Sequence, residues 1–472
     1  MFSPETYRER RRLLAEAVSS GLILLPGNNN APMNYAGNVY RFRQDGSFLY
    51  YAGLDAPGLS LTLDADSGEA VLYGHDPTMD DVVWEGPLPS LSERAASVGV
   101  TKTAVPERLA DDVSKARRAG RKVHVLPPYR GDQKLMLGKL LGTHPDEVVP
   151  SQELIEAVVA QRLVKSDEEI AELERAVALS AEMHLLAMRM AQPGRSEQKI
   201  AAAMEGIALA NGGYTSFPII LTRRGEVLHN QPTSYIFQKG DLMLTDGGAQ
   251  VAGSRYSGDI TRVSPVGGRF SDQQRTLYQI VLDAQMKAID ACKPDVAFRD
   301  IHLLACRSIA EGLKAVGLMK GDPYDAVEAG AHALFMPHGL GHAIGLDVHD
   351  MEALGEDNVG YGEEFRRSDQ FGLAFLRYGK RLKAGNVMTV EPGIYLIGAL
   401  TDKWKSEGKH TDFISYDEFE RWRDFGGIRI EDDIVVTEEG CRILGPAIPK
   451  QPNEVEEVVQ SGVAAFSTPL SV

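Results

Sequence analysis

Three histidines, His338, His342 and His349, fall within twelve positions of the stretch Met336-Pro-His-Gly-Leu-Gly-His-Ala-Ile-Gly-Leu-Asp-Val-His-Asp350. Gly339, Gly341 and Gly345 lie between them. The four-residue spacing of His338 and His342 suits one face of a helix, the arrangement of helix-borne zinc ligands. The glycines oppose that reading, because each disfavours a helix by roughly 1 kcal/mol relative to alanine. An extended segment fits better. At a period of two His338 and His342 share a face, and the glycines let other backbone or a ligand come close.

A chain of 472 residues exceeds one ordinary core, so two or more domains are expected. Its hydrophobic content of 43% and charged content of 25% are globular values. The net charge of −16 gives no general attraction to phosphate backbones or anionic membranes, so nucleic acid and membrane are not expected as partners. No run approaches the ~20 apolar residues of a membrane span. The N-terminal Met1–Val18 stretch has basic residues but no apolar run behind them, which argues against a signal peptide. Cys292, Cys306 and Cys441 are widely spaced and form no CxxC pair, which indicates a reducing, cytoplasmic setting.

Residues 4–19 read as an amphipathic helix, and Gly21-Leu-Ile-Leu-Leu-Pro26 as a buried strand. Leu59–Leu63 and Ala70–Tyr73 are strands about the turn Asp66-Ser-Gly68, and a helical stretch near 107–119 precedes the strand Lys122–Leu126. Alternating strands and helices make residues 1–155 a small α/β domain, with 156–472 following as the larger one. Ser166-Asp-Glu-Glu169 fits a capping box that opens a long helix to about Ala191, where Pro193-Gly194 stops it. A second helix covers about 196–211. Beyond Gly212-Gly213 the pattern returns to strands, and the tail after about 447 is expected to pack loosely.

Four acidic residues sit in apolar, strand-like runs. Asp246 ends Leu242-Met-Leu-Thr-Asp246. Asp259 lies in Tyr256-Ser-Gly-Asp-Ile-Thr-Arg262, and Gly253-Ser254 between the two runs allows a hairpin that brings both aspartates together. Glu391 lies in Val387-Met-Thr-Val-Glu-Pro-Gly-Ile-Tyr395, and Glu431 in Gly427-Ile-Arg-Ile-Glu-Asp-Asp-Ile-Val-Val436. Carboxylates in such runs are costly unless paired or metal-bound. With His342 they make a set too oxygen-rich for structural zinc, and suited to Mn²⁺, Co²⁺ or Fe²⁺. Carboxylates can bridge, so five side chains can hold two ions roughly 3.5–4 Å apart, with a bridging water acidified toward hydroxide near neutral pH.

These motifs resemble the metallopeptidase family of prolidase (Xaa-Pro dipeptidase), aminopeptidase P and methionine aminopeptidase, over about residues 160–445. The resemblance implies an α+β chain: a C-terminal pita-bread catalytic domain preceded by a smaller α/β domain. It implies Asp246, Asp259, His342, Glu391 and Glu431 as ligands of two divalent ions, Mn²⁺ foremost with Co²⁺ or Zn²⁺ as substitutes, and Asp259 and Glu431 as bridges. Glu391 would also take the proton from the bridging water. His229, in Glu226-Val-Leu-His-Asn230, and His349 match two further catalytic histidines that bind substrate and stabilise the tetrahedral intermediate. His338 matches a histidine that borders the substrate without binding metal. One departure is visible: Asp246 and Asp259 stand thirteen positions apart, two more than is usual in the family. Two extra residues in the turn leave both aspartates on their faces, whereas a bulge in the ladder would disturb Asp246.

The N-terminal region resembles the same family through Arg43-Gln-Asp-Gly-Ser-Phe48 and Tyr51-Ala-Gly-Leu54. Methionine aminopeptidases generally lack such a domain, and creatinases lack the metal ligands, which leaves prolidase and aminopeptidase P. The long insert between Glu391 and Glu431 leans to prolidase. So does Phe371-Gly-Leu-Ala-Phe-Leu-Arg377, which resembles the prolidase segment whose arginine grips the substrate's terminal carboxylate. The resemblance implies a proline-containing dipeptide or short peptide as substrate and a homodimer or homotetramer as assembly.

Overall fold

The computed structural model describes residues 2–466. Contacts group the chain into two units. The first runs to Arg162 and adds Met351–Val359; the second holds Leu163–Asp350 and the chain from Gly360 onward.

In the first unit the helix Pro4–Val18 opens on Ser3, whose side chain accepts from the Thr6 N–H. Five strands form one sheet in the order Lys102–Ala104, Ala70–Tyr73, Ser60–Asp64, Leu22–Pro26, Val123–His124. Leu22–Pro26 sits inside the sheet, antiparallel to Ser60–Asp64 and parallel to Val123–His124. That position explains its continuous apolar run, since both faces are covered. The helix Glu107–Arg118 buries Leu109, Val113 and Ala116 against Leu22, Leu24 and Val125.

The second unit repeats one pattern: two helices, then strands. Asp167–Met190 and Glu197–Ala210 precede the strands Ile220–Thr222, Leu242–Asp246 and Thr261–Pro265. Asp272–Ala291 and Phe298–Ala315 precede Val387–Val390, Asp432–Val436 and Cys441–Ile443. Both strand sets are antiparallel, and the Thr261↔Glu431 bridge joins them. The second helix pair buries Ala288, Phe298, Ile301 and Ala305 against Met388, Val390, Ile434 and Val436. Strand alternation then turns Thr389, Glu391 and Asp433 to the opposite face. Full burial of each large aliphatic side chain contributes roughly 1.5–3 kcal/mol.

Ser166 caps Asp167–Met190 with both capping-box hydrogen bonds: the Glu169 N–H donates to Ser166 Oγ, and the Ser166 N–H to Glu169 Oε2. Ser166→Ala is expected to cost about 1 kcal/mol, read as a lowered chemical-denaturation midpoint; an unchanged midpoint would show the cap to be dispensable.

Two expectations fail. The return to strands beyond Gly212-Gly213 omits Asp272–Ala291 and Phe298–Ala315, long helices with buried stripes such as Leu277, Val281, Ala284 and Ala288. Ser271 and Gln274 form a capping box there, a signal legible in the sequence. The tail does not pack loosely either. Pro452–Phe466 is a helix that buries Val455 and Val459, four residues apart, against Asp167–Met190. Gly462 lies so close that a Cβ there would stand 1.9 Å from the Arg189 carbonyl oxygen. Residues 467–472 of that tail lie outside the described residues.

Candidate active site

The histidine stretch is extended, not helical. Residues 340–344 run antiparallel beside the strand Val387–Val390: the Glu391 N–H donates to the Leu340 carbonyl at 2.8 Å, Thr389 to His342 at 2.9 Å and Ile344 to Val387 at 3.2 Å. Gly341 permits this, because a Cβ there would stand 2.0 Å from the Thr389 oxygen. His342 is thereby held against the strand that ends at Glu391.

The two aspartates come from one hairpin. Its register runs unbroken from Leu242↔Pro265 through Asp246↔Thr261 to the Gln250↔Ser257 bridge, and the Val251 N–H bonds the Tyr256 carbonyl at the turn. No bulge interrupts it, so the surplus residues lie in the Val251–Tyr256 turn, where Gly253 and Arg255 have positive φ.

At this junction the side chains converge. Asp259, His342 and Glu431 place ligand atoms within 4.8 Å of one another, all buried. His342 Nε2 is 3.5 Å from Asp259 Oδ2 and 3.8 Å from Glu391 Oε1. His342 Nδ1 faces the Ala343 carbonyl at 3.0 Å, which fixes the tautomer and turns the Nε2 lone pair toward the carboxylates. Asp246 Oδ1 and Asp259 Oδ1 are buried without a hydrogen-bond partner.

The charges are poorly compensated. Burial, then the neighbouring Glu431 and Asp246, hold the Asp259 carboxyl well above the usual range. Burial and the neighbouring Glu391 and Asp246 do the same to Glu431, against the pull of Arg429 and the Thr261 hydrogen bond. Glu391 is pushed up to about 8 by burial, with Arg429 opposing and Asp246 adding to the rise. Burial keeps His342 neutral, and lowers His349 to about 4 with help from Arg377.

The remaining expected residues surround this set. The His349 ring lies 4.0 Å from that of His342, centroid to centroid. His229 is exposed but lies in the field of Arg429, Asp246, His349 and Arg377. Arg377 is half-buried and acts on Glu391 and on all four of these histidines. His338 has both nitrogens engaged, Nδ1 donating to the Gly339 carbonyl at 2.7 Å and Nε2 accepting from the Tyr395 hydroxyl at 2.8 Å.

Arg429 was not singled out from the sequence. Its guanidinium donates to Asp246 Oδ2, to the Tyr395 hydroxyl and to Thr261 Oγ1, and Thr261 in turn donates to Glu431 Oε2. One buried arginine thus orients two carboxylates directly or through one hydroxyl. Alternation in Gly427-Ile-Arg-Ile-Glu431 puts Arg429 on the face of Glu431, the signal that could have found it. Asp433, also missed, accepts the Asp259 N–H at 3.0 Å. A cleft of about 520 Å³ opens among Arg223, Arg224, Glu226, Leu396, Arg423 and Gly426, which flank Tyr395 and the Gly427–Arg429 strand.

Fold and site together define a metallopeptidase. The model of metallopeptidase family M24 matches residues 171–438, that of the aminopeptidase P N-terminal domain matches 7–125, and the chain belongs to family M24. A probable Xaa-Pro aminopeptidase of Uncinocarpus reesii is 30% identical, covering 97% of this chain and 95% of its own. The human Xaa-Pro dipeptidase is 29% identical, covering 98% and 93%. A variant of Escherichia coli aminopeptidase P in complex with substrate superposes with a TM-score of 0.81 at 26% identity, covering 98% of this chain and 100% of that one. The second unit has the pita-bread fold, preceded by an aminopeptidase P-type N-terminal domain.

Proposed function

We propose that the protein hydrolyses the Xaa-Pro bond, with dipeptides as its preferred substrates. The observation that carries the dipeptide reading is Arg377, a half-buried arginine beside Glu391 and the histidines. A dipeptide presents a free carboxylate one residue past the scissile bond, and a guanidinium there gains a bidentate, charge-assisted pair. The second reading is an aminopeptidase P acting on longer Xaa-Pro peptides. The names of the fungal relatives favour it, and the cleft beside Tyr395 gives a longer peptide room. Hydrolysis of Xaa-Pro dipeptides beside Xaa-Pro-Yaa tripeptides, chelated and Mn²⁺-supplied, tests the proposal. Faster dipeptide cleavage is expected; faster tripeptide cleavage would move the enzyme to aminopeptidase P, and cleavage of neither would end both readings.

The residues fit two divalent ions. Three buried carboxylates, the partly exposed Glu391 and one imidazole lone pair converge, two carboxylate oxygens lack any partner, and burial together with mutual repulsion raises the affinity of Asp259 and Glu431 for protons. A set that holds protons for want of positive charge is one that cations stabilise. Asp246, Asp259, His342, Glu391 and Glu431 would hold the ions, with Mn²⁺ best suited to this oxygen-rich donor set. When bound, the ions polarise the scissile carbonyl and acidify the attacking water.

The chain's own groups do the rest. Glu391 accepts the water's proton and returns it to the leaving nitrogen of proline. His349 and His229 donate hydrogen bonds to the oxygen that gains charge. Arg377 binds the terminal carboxylate, and His338 borders the substrate and acts through Tyr395, whose hydroxyl it holds. Arg429 keeps Asp246 oriented.

The assembly proposed is a homodimer or homotetramer. The helix Met79–Glu85 has no buried residue and exposes Met79 at 74%, Val83 at 70% and Trp84 at 85%, an apolar surface that a second copy would cover. Light scattering is expected to give a mass of at least twice the chain's 51.5 kDa; a fully active monomer would contradict it. No helix among the described residues is long and apolar enough to cross a membrane. The cytoplasmic setting proposed rests on the three cysteines, all of them free thiols.

A further inference from the structure

The helix Phe298–Ala315 carries His302 and Cys306 one turn apart, and the turn Ala331–Leu334 brings His332 against them. Their ligand atoms all lie within 4.8 Å of one another. Cys306 Sγ is 3.5 Å from His302 Nε2, and the two imidazole centroids are 6.4 Å apart. All three side chains are at most 1% exposed. His332 is the anomaly: both ring nitrogens are buried and neither has a hydrogen-bond partner. A buried imidazole ordinarily satisfies its N–H and its lone pair. The carboxylate centre does not draw on these residues, and their donor chemistry is its opposite: two imidazoles and a sulfur, with no oxygen.

We propose that His302, Cys306 and His332 form a second metal site, distinct from the carboxylate centre, that takes one Zn²⁺ per chain. Imidazole and thiolate are the donors that structural zinc prefers over carboxylate. Zn–N bonds of about 2.0–2.1 Å and Zn–S bonds of about 2.3 Å set tetrahedral donors roughly 3.3–3.6 Å apart. His302 and Cys306 already stand at that spacing, and a shift on the order of 1 Å in His332 brings in the third donor. Burial keeps both imidazoles neutral, His302 at about 3 and His332 at about 4, so each ring has a lone pair to give. Cys306 binds as the thiolate: its S–H bond breaks, the proton passes to solvent and the sulfur electron pair forms the bond to zinc. The ion would tie the helix to the turn that leads directly into Phe335, His338 and His342. Phe335 in turn accepts the Tyr395 N–H at 2.8 Å, so the brace reaches the substrate side of the active site.

Sulfur makes the site readable without reference to activity. The carboxylate centre contains no thiol, so any thiolate-to-metal charge-transfer absorption must come from a cysteine. In a Cys292→Ala/Cys441→Ala variant Cys306 is the sole thiol and the proposed site is untouched. Expressed in cobalt-supplemented medium, this protein is expected to show a thiolate-to-Co²⁺ charge-transfer band corresponding to one site per chain. Cobalt-loaded protein without that band would overturn the proposal. Wild type beside Cys306→Ala is the second arm: the band is expected in the former and absent in the latter, and a band that survives Cys306→Ala would equally overturn it.

Discussion

Glu391→Gln is expected to leave a folded protein that still takes up metal but turns over about 10²–10⁴-fold more slowly, the usual contribution of a positioned general base. An amide has nearly the carboxylate's shape, but it cannot accept a proton. Exposure separates Glu391 from the other carboxylates of the set. Its side chain is 19% exposed, against 10% for Asp246 and 7% for Asp259. The group open to the substrate side is the one able to exchange a proton with it. Metal analysis of dialysed variant beside kcat on an Xaa-Pro dipeptide reads both halves of the expectation. Wild-type kcat would remove Glu391 from the proton path, and loss of metal would make it a ligand first and a base second.

Arg377→Ala is expected to weaken dipeptide hydrolysis far more than tripeptide hydrolysis. The difference in kcat/KM should be on the order of 2–3 kcal/mol, the worth of a hydrogen bond to a charged group. The environment supports that size. Burial opposes the charge of Arg377, and Glu391 supports it. A partly desolvated guanidinium exchanges less water for its substrate than one on the open surface, where ion pairs contribute at most about 1 kcal/mol. Equal losses on both substrates would make Arg377 a general structural element, and no loss on either would return it to the surface.

Much of the site was legible because carboxylates are out of place in apolar strands. Asp246, Asp259, Glu391 and Glu431 each break a run of buried residues, and the structure brings Asp259, Glu391 and Glu431 to His342, with Asp246 in the field of those three carboxylates. The glycines of the histidine stretch were informative for the same physical reason: Gly341 lies where a Cβ would strike the Thr389 oxygen, so the segment is extended beside a strand. What stayed hidden were groups whose role depends on pairing between distant strands. Thr261 stands opposite Asp246 in one ladder and opposite Glu431 in another, and only that double pairing lets Arg429 reach Asp246 and Thr261 together. Local sequence carries alternation but not which strand lies alongside. The helices Asp272–Ala291 and Pro452–Phe466 were a different kind of omission. Both carry apolar residues four apart, Leu277 and Val281 in one and Val455 and Val459 in the other, and a window on that period would have found them.

These five side chains are proposed to hold the ions on which hydrolysis depends. The most direct test is stepwise addition of Mn²⁺ to chelator-stripped protein, with bound metal and Xaa-Pro dipeptide hydrolysis measured at each step. The expected result is no hydrolysis in the stripped protein, activity rising to a plateau at two ions per chain, and neither tight binding nor activity in His342→Ala, where the set loses its only nitrogen donor. Full activity in metal-free protein, or an activity plateau in His342→Ala equal to that of wild type, would contradict it.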